Sequence, residues 1–177
     1  MQPAIVLQFD LRHSPDSTES ASERYRACLD MVQWADNNPV SVVGFSEHHN
    51  TEDGFLSAPL MMAMAAASRT QRIRISVSAL LLPLLDPVRV AEDIAVLDIV
   101  SQGRFSATVG LGYREVEYQT FAVDWNKRGN IFDRKLAVLL EAFKGEPFDY
   151  RGTTFQLKPP PNSPTQSLIL VGGNSPA

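Results

Sequence analysis

Glu47, His48 and His49 stand in a row directly after an apolar run that reads as a strand. An imidazole ordinarily titrates at ~6.5, so it can take or give a proton near neutral pH. On a strand successive side chains alternate faces, so Glu47 and His49 point one way and His48 the other. Adjacent histidines on opposite faces do not make a metal pair. Zinc would need further ligands at workable spacing, and the remaining histidine is His13, with no cluster of cysteines. No metal site is expected. Two readings remain, solvated residues where a strand meets a loop or a proton-handling group. The place matters, because the C-terminal edge of the strands is where α/β proteins bind ligands.

Three other groups carry possible chemistry. The run Gly110-Leu111-Gly112-Tyr113-Arg114-Glu115 resembles a dinucleotide-binding loop but lacks its third glycine and the immediate helix. Its two glycines either let the backbone approach something flat or form a plain strand-end turn. Arg128 opens a helix, where the dipole disfavours a cation. It reads equally as an exposed arginine or as the ligand of an anionic partner such as phosphate. Asp86, before Pro87, suits a helix N-cap, and Glu92, Asp93 and Asp98 read as structural acids of the same helix. Arg104 is expected to pair with one of them. Trp34, Trp125, Met61, Met62 and Met64 read as packing residues.

The elements that must position these groups alternate. Strands are expected at 4–10, 40–46, 73–82, 104–110 and 167–171, and helices at 20–37, 57–69, 87–101 and 128–144. Ser20 or Ser22 caps the first helix, and Pro87 opens the third. A small hairpin is expected near 148–156 around Arg151-Gly152, followed by a Pro-rich connector. Strand–helix alternation implies right-handed βαβ units and a parallel sheet. The pattern alone fits an open doubly wound sheet or the first part of a barrel.

With 177 residues the chain fits a single domain spanning 1–177. A formal net charge of −4, with no cluster of Lys and Arg, gives no nucleic-acid footprint. The lone Cys28 cannot form an internal disulfide and suits a reducing, cytoplasmic location. The apolar stretch from Val77 to Leu85 is interrupted by Ser78 and Pro83. It falls short of the ~20 residues of a membrane span, and no signal peptide is read at the N-terminus.

The stretch from Phe45 to Asn50, the long run from Pro83 to Tyr113 and the segment from Ser167 to Ser175 resemble the bacterial-luciferase-like flavin-dependent monooxygenases. The resemblance covers essentially the whole chain. It implies a TIM (β/α)8-barrel fold, of which this chain would supply about the first five strands and four helices, a partial barrel. It also implies reduced FMN, or alternatively the deazaflavin F420, acting with O2 on a small organic substrate.

Residue by residue, His48 matches the family's active-site histidine and Glu47 a pocket-lining acid. Ser78 and Ala79 match the end of strand three, where the family often has a non-prolyl cis peptide against the flavin ring. Gly110, Leu111 and Tyr113 match flavin contacts. Arg128 matches a phosphate ligand, and Gly172, Gly173, Asn174 and Ser175 match phosphate contacts after strand five. At Gly110 the luciferase has a larger, reactive residue, and Leu111 stands where it has an arginine. The resemblance therefore implies flavin binding more directly than light emission. Alternatives are an F420-dependent dehydrogenase and a half-barrel without activity of its own. Its open edges would be covered by a homo-oligomer or a complementing C-terminal fragment.

Overall fold

The computed structural model describes residues 4–173. Five strands form one parallel sheet: β1 (Val6–Phe9), β2 (Val42–Phe45), β3 (Arg74–Leu81), β4 (Phe105–Gly110) and, after a two-stranded excursion, β7 (Ile169–Val171). The excursion is the antiparallel hairpin β5 (Phe148–Tyr150) and β6 (Thr153–Phe155), turned at Arg151-Gly152 where the hairpin was expected. Asn174 and Ser175 lie outside the described residues.

The sheet order is β1-β2-β3-β4-β7. Each strand lies beside the one before it in the main sheet, with no reversal. A doubly wound sheet reverses its order at a switch point, whereas a barrel adds strands in sequence. The order thus decides between the two architectures that pattern alone left open, and the sheet is part of a (β/α)8 barrel. On their outer sides β1 and β7 have no strand among the described residues.

One face of the sheet is buried beneath the helices, and the alternate residues of β3 and β4, such as Ser76, Ser106 and Thr108, are only partly buried. Val43, Phe45, Ile75, Val77, Ala107 and Val109 are all fully buried. The helices α1 (Ala21–Asp36), α2 (Pro59–Arg69), α3 (Pro87–Ser101) and α5 (Arg128–Ala142) follow the main strands. Each buries one stripe, such as Ala63 and Ala66 on α2 or Ala91 and Ile94 on α3. Ser20 caps α1 in a reciprocal box. Its Oγ accepts from Glu23 N–H at 3.2 Å while the Glu23 carboxylate accepts from Ser20 N–H at 2.8 Å. Asp86 caps α3 as expected, accepting from the N–H groups of Val88 (3.0 Å) and Arg89 (3.3 Å).

Two packing expectations are corrected. Arg104 pairs with none of the α3 acids. It donates to the carbonyls of Ala67, Thr70 and Ile73 and to the Thr70 hydroxyl, at 2.9 to 3.2 Å. Asp98 is already engaged, accepting from Asn162 N–H, Ser163 N–H and the Ser163 hydroxyl. Trp34 and Met61 do not pack inward. They are 58% and 74% exposed, on the outer faces of α1 and α2.

A short helix that periodicity does not announce, α4 (Glu115–Thr120), fills the connection between β4 and α5. A final single turn, α6 (Thr165–Leu168), leads into β7. No described helix is long and apolar enough to cross a membrane.

Candidate functional site

The C-terminal ends of β2, β3, β4 and β7 open onto a cavity of about 600 Å³. This is within the ordinary ~300–1,000 Å³ range of small-molecule sites. Its lining includes His48, Glu47, Ser78, Ala79, Gly110, Leu111, Tyr113, Gly172 and Gly173. Nine of the residues singled out from the sequence thus meet at one place. Arg128 is not among them. Its guanidinium stacks on the Trp125 ring at 3.9 Å and donates to the Trp125 carbonyl at 2.9 Å. Gly112, the second glycine of the run after β4, also lines it, and Arg12, Ser46, Phe55 and Leu81 join without having been anticipated.

The floor is made of small groups. The Ser78–Ala79 peptide bond is cis, and the pairing of β3 with β4 shifts register between Ser78 and Leu80. Gly110 ends β4 against this segment, and a Cβ there would stand 3.1 Å from the Ala79 Cβ. A side chain at 110 would therefore crowd the floor. Gly112, at φ +75°, turns the chain away from β4 toward α4 in a conformation that other residues adopt only with strain. The Leu111 carbonyl between the two glycines accepts a short hydrogen bond from the Tyr118 hydroxyl. Burial pushes the Tyr118 phenol up to about 12, with Arg128 opposing and Glu117 adding to the shift. That hydroxyl therefore stays a donor at neutral pH.

The two histidines each meet their own glutamate. His49 Nε2 lies 2.9 Å from Glu47 Oε1, and the His49 ring packs edge-on against Phe121. Glu47 is 4% exposed, and its other oxygen accepts from Leu81 N–H at 2.7 Å. One carboxylate thus joins the end of β2 to the end of β3 and orients His49. His48 faces the other way, as strand alternation implies, although the strand itself stops at Phe45. Its Nδ1 lies 2.8 Å from Glu117 Oε1, and its Nε2 lies 2.9 Å from the Tyr113 hydroxyl. Its ring sits edge-on to Phe55 and Tyr113. Glu117, beside Nδ1, is fully buried, whereas Tyr113, beside Nε2, is 75% exposed and lines the cavity, so the Nε2 edge is the one on the cavity side.

Glu117 and Arg114 are the residues that sequence reasoning passed over. Arg114 donates to the carbonyl of His49 at 2.9 Å and to Glu117 Oε1 at 3.3 Å, holding the loop after β2 against α4. The signal for Glu117 was only an acid two positions after Glu115 in a hexapeptide too short to show periodicity, and Arg114 stood in the glycine run with no role of its own.

The arrangement offers a flat, small-residue floor, bare backbone at Gly172 and Gly173, and one imidazole nitrogen directed at the space above them. These residues share one cavity at the C-terminal edge of the sheet. Comparison with known proteins gives the family and the fold. The sequence profile described as luciferase-like monooxygenase matches residues 1–177. An uncharacterized protein of Sinorhizobium fredii is 29% identical over 141 residues, 80% of this chain and 40% of the relative. Among solved structures, the oxygenating constituent of 3,6-diketocamphane monooxygenase from Pseudomonas putida, in complex with FMN, superposes with TM-score 0.81. It is 21% identical, over 97% of this chain and 51% of that one. An F420-dependent secondary alcohol dehydrogenase superposes at 0.74 with 19% identity, over 98% and 53% of the two chains. This chain spans about half the length of these structures and less of the curated relative.

Proposed function

The chain belongs to the luciferase-like monooxygenase family, and from that premise we propose that its cavity binds reduced FMN and serves an O2-dependent oxidation of a small organic substrate. The observation that carries this reading is the convergence of His48, Ser78, Ala79, Gly110 and Gly172 on one cavity at the C-terminal edge of the sheet. The residues fit the group. A planar ring needs a floor without protruding side chains, and alanine and glycine supply one. The proposed phosphate contacts begin at Gly172 and Gly173, with Asn174 and Ser175 following in sequence.

Bound reduced flavin supplies the electron pair for the chemistry with O2. The chain's own residues do the rest. Gly110 and Ala79 would leave the backbone open to a bound ring. Leu111 and Phe55 keep water from its surroundings. His48 holds or removes a proton at Nε2 as general base or hydrogen-bond partner of the substrate.

A second reading is hydride transfer with F420, in which the same Nε2 takes the proton of a substrate alcohol. The likeness to the F420-dependent alcohol dehydrogenase, a likeness of fold, keeps it in view. Titrating the protein with FMN, reduced FMN and F420 and following absorbance separates the two. Tight binding of F420 with no binding of FMN would replace the first reading by the second.

The edges complete the proposal. Ile5 and Val6 at β1 and Leu170 and Val171 at β7 are 47%, 53%, 52% and 62% exposed. Apolar, unpaired strand edges call for a cover. We assign that cover to further strands, from a complementing C-terminal segment or a second copy of the chain. Size-exclusion chromatography with light scattering tests this, and a dilute monomer with full flavin affinity would refute it.

A further inference from the structure

We infer that Glu117 is a positioning residue for His48: its carboxylate holds the imidazole with the proton on Nδ1 and leaves Nε2 as the acceptor facing the cavity. The inference rests on the reading of His48 as the proton-handling group of the proposed reaction.

The argument starts from donors and acceptors. Glu117 is fully buried. Its Oε1 meets the backbone N–H of His49 at 2.9 Å, the Arg114 guanidinium at 3.3 Å and His48 Nδ1 at 2.8 Å. A backbone N–H and a guanidinium can only donate. Oε1 is therefore an acceptor to both, and the guanidinium charge matches a carboxylate. Nδ1 completes the set as the third donor. A neutral imidazole carries one N–H, so a proton on Nδ1 leaves a lone pair on Nε2. That nitrogen then accepts from the Tyr113 hydroxyl at 2.9 Å. A substrate O–H reaching Nε2 would take the place of this phenol, which belongs to a largely exposed side chain.

A second observation is independent of the first. The other carboxylate oxygen, Oε2, is buried and has no hydrogen-bond partner. A buried acceptor left unmet costs stability. An apolar side chain of similar size would avoid that cost and fill the same space. What it could not do is fix the tautomer of the histidine above it, which is the service the carboxylate performs.

The test reads the tautomer directly. The protein has three histidines, and nitrogen-15 NMR of the imidazoles, with His48 assigned by its absence in His48→Ala, reports which nitrogen carries the proton. The wild type is expected to show His48 protonated at Nδ1, with that proton in slow exchange. Glu117→Gln keeps an acceptor oxygen in place and retains the signature. Glu117→Leu removes the acceptor, loses the preference for Nδ1 and lowers kcat about 10- to 100-fold with little change in FMN affinity. A wild-type His48 protonated at Nε2 overturns the inference, as does a Glu117→Leu protein that keeps the Nδ1 proton. If Glu117→Leu does not fold, the wild-type spectrum decides alone. The readout needs neither cofactor nor turnover. An Nδ1 proton together with full turnover in His48→Ala would leave the positioning intact and remove the catalytic reading instead.

Discussion

The two ends of the sheet use charge differently. At the N-terminal end, charged groups serve the backbone. Arg72 donates to the carbonyls of Ala35, Asp36, Asn38 and Val40, and the Asp36 carboxylate accepts from the N–H groups of Gln71, Arg72 and Ile73. Arg104 does the same for the end of α2. At the C-terminal end, charged groups serve the backbone too, Glu47 accepting from Leu81 N–H and Arg114 donating to the His49 carbonyl, but they also hold side chains. Glu47 and Glu117 each hold a histidine, and Tyr113 closes the chain from outside. One end is saturated and finishes the fold. The other keeps one imidazole nitrogen turned to a cavity and one carboxylate oxygen without a partner. Charge spent on main chain alone finishes structure, whereas charge that also holds an imidazole beside a cavity leaves room for chemistry.

Substitutions at the two ends should separate accordingly. The largest effect is expected from His48→Ala, which should lower turnover by about 10²- to 10⁴-fold while FMN affinity stays within a few-fold. Steady-state kinetics beside a flavin titration measures both. An equal loss in the two would erase the contrast by making His48 a binding residue.

Arg104→Ala should come next, and on stability rather than on the site. It leaves the carbonyls of three buried residues, Ala67, Thr70 and Ile73, without their donor. Each orphaned buried acceptor costs about 1–3 kcal/mol. A urea melt should show a loss of about 3 kcal/mol or more, with flavin affinity of the folded fraction unchanged.

Gly110→Ala should be milder, because its Cβ meets Ala79 at 3.1 Å and the floor must give by a few tenths of an ångström. Overpacking of this kind costs about 1–3 kcal/mol. The loss is expected in flavin affinity, read by titration, more than in the melting temperature.

The smallest effect concerns acid. Burial works to raise the Asp36 carboxyl, but the N–H groups of Gln71, Ile73 and Arg72, with Arg104 nearby, hold it below its ordinary 3.8. A lowered folded-state pKa means the contribution is fully present above the ordinary carboxylate value and fades as pH falls through the lowered one. Asp36→Asn should therefore be less stable than wild type at pH 7 and closer to it at pH 3. Denaturant melts at the two pH values would show it, and a gap that widens in acid would be the wrong sign.

The sequence made much of this legible, for identifiable reasons. Helix and strand periods are local, and so are caps, so α3 was readable to both ends and Asp86 as its cap. His48 and Gly110 stood out because strand ends carry them to one edge, whereas Ser78, Ala79, Gly172 and Gly173 were expected only from the family resemblance. Glu117 was not. Its helix has six residues, no capping side chain and no apolar stripe, and its partner lies 69 positions away. Arg104 was misread for the converse reason. Acids nearby in sequence suggested an ion pair, whereas Asp98 was committed to the connector at Asn162 and Ser163 and the end of α2 offered a cluster of carbonyls. Side-chain partners distant in sequence are set by topology, which no local pattern encodes.

The sequential strand order has a consequence for how the molecule comes into being. Each main-sheet strand pairs with the strand made just before it. A chain emerging from the ribosome can therefore dock one unit at a time, closing short loops before long ones. His48 is made long before Glu117, and its Nδ1 has no carboxylate partner until α4 has been synthesised and folded. The His48–Glu117 contact should thus form only once α4 is present, and arrested chains ending before and after α4 would differ in His48 protection rather than in strand content.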